Sequence, residues 1–244
     1  MTTTTTTPHL KTRIVTIPVA DGTQIPAFLA VPEHKGTMPA VMVFQEIFGV
    51  NNHIKAVTKR LAQEGFVAIA PELFHRTAPG FHAVYDDMNA GMQQAKQMRL
   101  ETTQADLRAL HQFLESDPHV KNGCVGAIGF CLGGSIAFLA NSLVPLKAAV
   151  SYYGGGIASN YLDRVTAQHG PLLTIWGGRD AHIPLAKTRE LEDAMHASRK
   201  PYTNAIFHDA GHGFLCDERK DYHAASAETA WALSSSFLRT HLHS

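Results

Sequence analysis

The chain has little cysteine, no surplus of charge and no long apolar run. Cys124, Cys131 and Cys216 are its three cysteines. An odd set without C-x-x-C spacing argues against a disulfide framework and for reduced thiols, hence a cytoplasmic protein. Twenty-one Lys and Arg balance twenty-one Asp and Glu. That balance offers no electrostatic footprint for nucleic acid. No apolar stretch reaches the ~18 residues of a membrane span. The threonines after Met1 contain neither a basic nor an apolar segment, so no secretory signal is read there. Fifteen histidines raise the question of metal. His208 and His212 are spaced i, i+4, but glycines flank His212 and no Glu lies between the two, so the zinc-protease pattern fails. No metal and no cofactor are expected.

Apolar residues make up 45% of the 244. That suffices for a sizeable core and suits one domain of this length. Residues 1–9 are expected as a disordered tail and residues 10–244 as a single domain. Leu10 to Ala20 and Gln24 to Val31 are β-leaning runs around the hairpin signal Asp21-Gly22. Pro39 to Phe44, Phe66 to Ala70, Cys124 to Ile128, Lys147 to Tyr152, Pro171 to Trp176 and Tyr202 to Phe207 are further strands, several of them continuously apolar.

Helical spacing recurs between these strands. It is seen at Val50, Ile54, Val57 and Leu61, and at Leu107, Leu110 and Leu114 within one long helical stretch that follows about Asp86. Leu132 to Asn141, Pro184 to about Ser198 and about Tyr222 to His241 complete the set. Strands alternating with helices predict a mostly parallel sheet of seven to eight strands with helices on both faces. Ligands bind such sheets beyond the carboxyl ends of the strands.

One segment carries more than the rest. Gly129-Phe130-Cys131-Leu132-Gly133-Gly134 reads G-x-C-x-G at the end of a strand and the start of a helix. That is the layout of a nucleophile elbow with a thiol in place of a hydroxyl. The glycines allow backbone to pack close to a strained turn. The helix N-terminus favours a thiolate. A free cysteine is often only a small buried hydrophobe, so the motif needs partners.

Asp180 and His212 supply them. Both follow predicted strands, and the order Cys131, Asp180, His212 is the nucleophile–acid–base order of α/β-hydrolases. His212 would shuttle the proton, and Asp180 would set its tautomer and support its charged form. Backbone N–H groups of Leu132 and Ile47 would hold the oxyanion. His182 and His208 are rival bases, and Asp163 and Asp209 rival acids; position after a strand favours Asp180 and His212.

These stretches resemble the dienelactone hydrolase family, α/β-hydrolases with a cysteine nucleophile. The matching segments are Gln45-Glu46-Ile47-Phe48-Gly49-Val50-Asn51, the elbow, Tyr152-Tyr153-Gly154, Gly177-Gly178-Arg179-Asp180, and Ala210-Gly211-His212-Gly213-Phe214. His75 to Gly80 also looks like the family, and the resemblance runs from about Arg13 to the C-terminus. It implies the α/β-hydrolase fold and a role for Glu46 beside the resting thiol, helping its deprotonation when substrate arrives.

The family holds a substrate carboxylate with two arginines. The matching positions here fall near Met88 and on Cys216, and no Arg occurs from Gly80 to Met98. Each lost charge-assisted bond costs an anionic substrate ~1.5–3 kcal/mol. A preferred substrate other than dienelactone is therefore expected.

The resulting expectation is a hydrolase of a small ester, lactone or thioester, acting through a Cys131 thioacyl-enzyme. Phe48, Tyr152, Met88, Phe214 and Cys216 would line its pocket, under a loop running from Arg76 to Asn89. A general carboxylesterase or thioesterase, a small-molecule receptor and a redox sensor on the same scaffold are the alternatives. The only partner expected is the small-molecule substrate, with no nucleic acid and no membrane, on a monomer or weak homo-oligomer.

Overall fold

The computed structural model describes residues 9–34 and 36–243. The expected N-terminal tail thus lies outside the described residues, apart from the exposed His9. The elements, in order, are β1 (Leu10–Pro18), β2 (Gln24–Pro32), β3 (Met38–Phe44), α1 (Asn52–Gln63), β4 (Val67–Pro71), α2 (Met88–Gln97) and α3 (Leu100–Ser116). Then follow β5 (Val120–Phe130), α4 (Leu132–Leu143), β6 (Ala148–Tyr152), α5 (Ile157–Asn160), a 3-10 turn at Leu162–Ala167, β7 (Leu172–Gly177), α6 (Leu185–Ser198), β8 (Tyr202–Phe207) and α7 (Ala224–Leu242).

The eight strands form one sheet in the order β1-β2-β4-β3-β5-β6-β7-β8. The β1–β2 hairpin is antiparallel and β2 meets β4 antiparallel; all later pairings are parallel. This is the α/β-hydrolase sheet that the strand–helix alternation predicts.

Every residue of β3 is buried. Its side chains alternate between two cores because successive residues of a strand face opposite sides. Val41 and Val43 pack with Ile54, Val57 and Leu61 of α1 and with Trp231 and Leu238 of α7. Met42 and Phe44 pack with Leu107, Leu110 and Leu114 of α3 and with Ile136 and Leu139 of α4. A sheet covered on both faces needs continuously apolar strands, and that explains their legibility. Asn51 caps α1 by accepting from the Ile54 N–H at 3.1 Å.

The single helical stretch expected after Asp86 is two helices. Met98 and Arg99 are extended (ψ 138° and 136°). The two halves have different tasks. α2 packs Gly91 on the Ile47 backbone, where a Cβ would stand 2.4 Å from the carbonyl oxygen. α3 lays its leucine stripe on the sheet. Among the described residues, no helix is long and apolar enough to cross a membrane.

Candidate active site

β5 ends at Phe130 and α4 begins at Leu132, so Cys131 occupies the turn alone. Its φ of 55° and ψ of −113° put a non-glycine residue in a region that L-residues avoid. Close backbone packing holds it there. A Cβ on Gly133 would lie 2.2 Å from the Phe44 carbonyl oxygen, and one on Gly129 would lie 1.9 Å from that of Gly133. The start of α4 thereby presses onto the end of β3. Gly133→Ala is expected to cost about 3 kcal/mol or more, the upper range for overpacking, since rigid backbone and not a side chain must yield. Thermal denaturation checks this.

Cys131 is only partly buried, whereas Cys124 and Cys216 are buried. The Leu132 N–H, at the first position of α4, and the Ile47 N–H donate to no other protein group among the described residues. Both belong to the two segments that Gly133 brings together.

β7 delivers Asp180, and the loop after β8 delivers His212. His212 Nδ1 stands 2.7 Å from Asp180 Oδ2. Asp180 Oδ1 accepts from the backbone N–H groups of His182 and Ile183 at 2.8 and 3.0 Å. The carboxylate is therefore fully used and its orientation set. Burial opposes the charged form of His212, but hydrogen bonds to Asp180 and Cys131, with the attraction of both, outweigh it and lift the imidazole to about 10. Burial also opposes the Asp180 carboxylate, yet its bonds to His212 and the two amides hold it below the usual range.

The rival acids are paired elsewhere. Asp209 pairs with Arg179 and Asp163 with Arg164, all well exposed except the half-buried Arg164. The His182 ring stands edge-on to His212 at 5.2 Å and makes no hydrogen bond to Asp180 through its nitrogens.

Glu46 is 1% exposed. Arg219 Nη1 donates to its Oε1 at 2.8 Å, and its Oε2 has no hydrogen-bond partner among the described residues. Glu46 thus sits on Arg219, not on the thiol. Burial drives its carboxyl above the usual carboxylate range, against the pull of Arg219 and His212. The guanidinium, itself buried, lies 5.5 Å from the Phe48 ring centre and 5.8 Å from that of Tyr85. Arg219 went unseen in the sequence because it lies far down the chain in an irregular loop. Gly213 makes room for it: a Cβ there would meet the guanidinium carbon at 2.5 Å. A buried cation therefore does stand at this site, although neither of the expected positions is arginine.

The pocket-lining expectations fare unevenly. Tyr152 is fully buried on the α7 side, its hydroxyl 2.7 Å from Ser234 Oγ. The next residue, Tyr153, turns towards the site with φ 39°, its ring 5.1 Å from that of His212. Its buried hydroxyl has no hydrogen-bond partner among the described residues, and Glu46, Arg219 and Cys131 are all close enough to act on it. Tyr153 thus takes the place expected for Tyr152.

Phe214 is fully buried among Tyr152, Tyr153 and Phe207, in the core behind His212. Cys216 is fully buried and donates to the Tyr85 hydroxyl at 3.2 Å. Phe48 is also buried, edge-on to Tyr85 at 4.8 Å. Only Met88, the first residue of α2, presents an exposed side chain. The expected cover segment holds Tyr85, whose hydroxyl accepts from Asn51 at 2.9 Å. Arg76, in the same segment, is tied to Asp106 and Asp21.

Known proteins share this arrangement of sequence and fold. The family model described as "Dienelactone hydrolase family" matches residues 25–242. A "Putative carboxymethylenebutenolidase" of Synechocystis is 38% identical over 96% of this chain and 98% of its own. The carboxymethylenebutenolidase of Pseudomonas putida is 31% identical over 88% of this chain and 91% of its own. The crystal structure of a "Putative Dienelactone Hydrolase" from Klebsiella pneumoniae superposes with a TM-score of 0.85 at 30% identity, covering 94% of this chain and 98% of that one. The chain therefore belongs to the dienelactone hydrolase family, enzymes that hydrolyse carboxylic ester bonds.

Proposed function

We propose that this enzyme cleaves a small lactone or ester through a thioester on Cys131. The observation that carries the reading is His212, held by Asp180 at 2.7 Å and raised in part by Cys131, which stands in a strained turn at a helix N-terminus. Cys131 attacks the carbonyl carbon as a thiolate, its proton resting on His212. The carbonyl π pair moves to oxygen, and the Ile47 and Leu132 N–H groups receive the oxyanion. Collapse breaks the ester C–O bond, and His212 gives its proton to the departing oxygen. A lactone opens here without releasing a second molecule. His212 then takes a proton from water, whose oxygen attacks the thioester. Collapse of that adduct frees the acid and returns sulfur and proton to the starting pair.

Arg219 bears on the substrate. Its position beside Glu46 favours an acyl group that carries a carboxylate of its own, since such a group would compete for the guanidinium. This widens the substrate class that the sequence implies, because the cation comes from Arg219 and not from the positions of Met88 and Cys216. Tyr153 and Met88 would border the bound acyl group.

Stopped-flow hydrolysis of a p-nitrophenyl ester tests the reading. A burst of one p-nitrophenolate per active site is expected, and Cys131→Ala should abolish it. Acylation of Cys131 slower than steady-state turnover, or a burst that survives Cys131→Ala, would refute the cysteine route. The burst also separates the enzyme from a receptor, which would bind the ester and release nothing.

A further inference from the structure

A second cluster of chemically capable side chains lies outside the attacking residues. His53 stands in the first turn of α1, and Cys216 and Asp217 lie in the loop before α7. One potential ligand atom from each lies within 4.8 Å of the other two. His53 is 6% exposed, and neither of its ring nitrogens makes a hydrogen bond among the described residues. Nδ1 faces Asp217 Oδ1 at 3.9 Å, beyond hydrogen-bond reach. A buried ring nitrogen without a hydrogen-bond partner, as Nε2 is here, is costly and calls for an explanation such as a bound ion.

The cluster is also reachable. Asp217 is mostly exposed, and a cleft of about 470 Å³ opens on His53 and Asp217, bordered by Arg60, Tyr222, Glu228 and Trp231.

We propose that His53, Cys216 and Asp217 bind a borderline divalent cation of the zinc class, at a site distinct from Cys131. The donor set is one imidazole, one thiolate and one carboxylate, which suits zinc and cobalt far better than calcium or magnesium. Three protein ligands leave a fourth position for water from the cleft. Tetrahedral bond lengths of about 2.0–2.3 Å place ligand atoms about 3.3–3.7 Å apart, so closure needs movement of about 1 Å.

The donors bind as neutral imidazole, thiolate and carboxylate, so the Cys216 proton leaves to solvent as the S–metal bond forms. The thiol then gives up its hydrogen bond to Tyr85, whose ring packs against Phe48 and lies near Arg219. A metal here would clamp the loop bearing His212 to α1.

Titration of the reduced, full-length protein with cobalt(II) reads this directly. One equivalent should give the visible bands of four-coordinate cobalt, a near-ultraviolet thiolate-to-cobalt charge-transfer band and about one released proton. Zinc(II) should bleach both sets of bands. Cys131→Ser should keep the charge-transfer band and Cys216→Ser should lose it. Asp217→Asn, at an exposed position where folding is undisturbed, should weaken binding about tenfold or more, at least as much as loss of a supporting group does. Absence of the band in the wild type, its survival in Cys216→Ser, or its loss in Cys131→Ser would overturn the proposal.

Discussion

His212→Gln is expected to lower kcat/KM by about 10⁴-fold or more, the scale seen when a base is removed from a nucleophilic triad. Glutamine can still reach Asp180 but can neither carry the thiol proton nor deliver one to the leaving oxygen. The loss should fall on kcat, because His212 acts on the reacting atoms and not on substrate binding. A second readout separates chemistry from structure. His212 is raised to about 10 in the folded protein from an ordinary value of 6.5. The proton it then holds comes from Cys131, so the folded pair and the unfolded thiol and imidazole each hold one proton between about pH 7 and 8, and the pair gives stability no pH trend there. His212→Gln should therefore slow iodoacetamide alkylation of Cys131 at pH 7, because nothing then takes the thiol proton. Alkylation as fast as in the wild type would mean that the proton does not rest on His212.

Arg219→Met should destabilise the enzyme by about 3–5 kcal/mol, the usual cost of leaving one half of a buried ion pair unpaired. For a chain of this size that corresponds to a fall in Tm of roughly 6–20 °C. Glu46 and Arg219 are both nearly inaccessible, and Glu46 Oε2 already lacks a hydrogen-bond partner among the described residues, so no water-exposed route relieves the carboxylate. It can only take up a proton. Glu46 is already raised in the fold, and removal of the guanidinium raises it further. A carboxyl raised on folding makes stability fall as pH climbs above its unfolded value of 4.5. Arg219→Met should thus be worse at pH 8 than at pH 5. The double variant Glu46→Gln with Arg219→Met should regain most of the loss, because no buried charge remains. Equal damage from the double and the single variant would show that the guanidinium matters through packing on Phe48 and Tyr85 and not through Glu46.

These two residues also show what a sequence can and cannot disclose. Cys131 was legible because its turn needs glycines at Gly129 and Gly133, and those glycines are a local pattern. Asp180 and His212 were legible because each lies in the loop that follows a strand, β7 or β8, at the carboxyl edge of the sheet. The Glu46–Arg219 pair was not, since nothing local ties a residue at the end of β3 to an irregular loop before α7. Tyr152 and Tyr153 differ by one position, yet one faces α7 and the other His212. That choice depends on the last pleat of β6 and the positive φ that follows, neither of which residue types alone determine. The break between α2 and α3 was hidden for a related reason. It falls at the extended Met98 and Arg99, and no Gly or Pro stands there to mark it.

The most direct test of the account is the mass of the enzyme quenched in acid during turnover of a slowly deacylating p-nitrophenyl ester. The account predicts one added acyl group, carried as a hydroxylamine-labile thioester on the peptide containing Cys131. An acyl group on any other residue, or none under conditions where product forms, would contradict it.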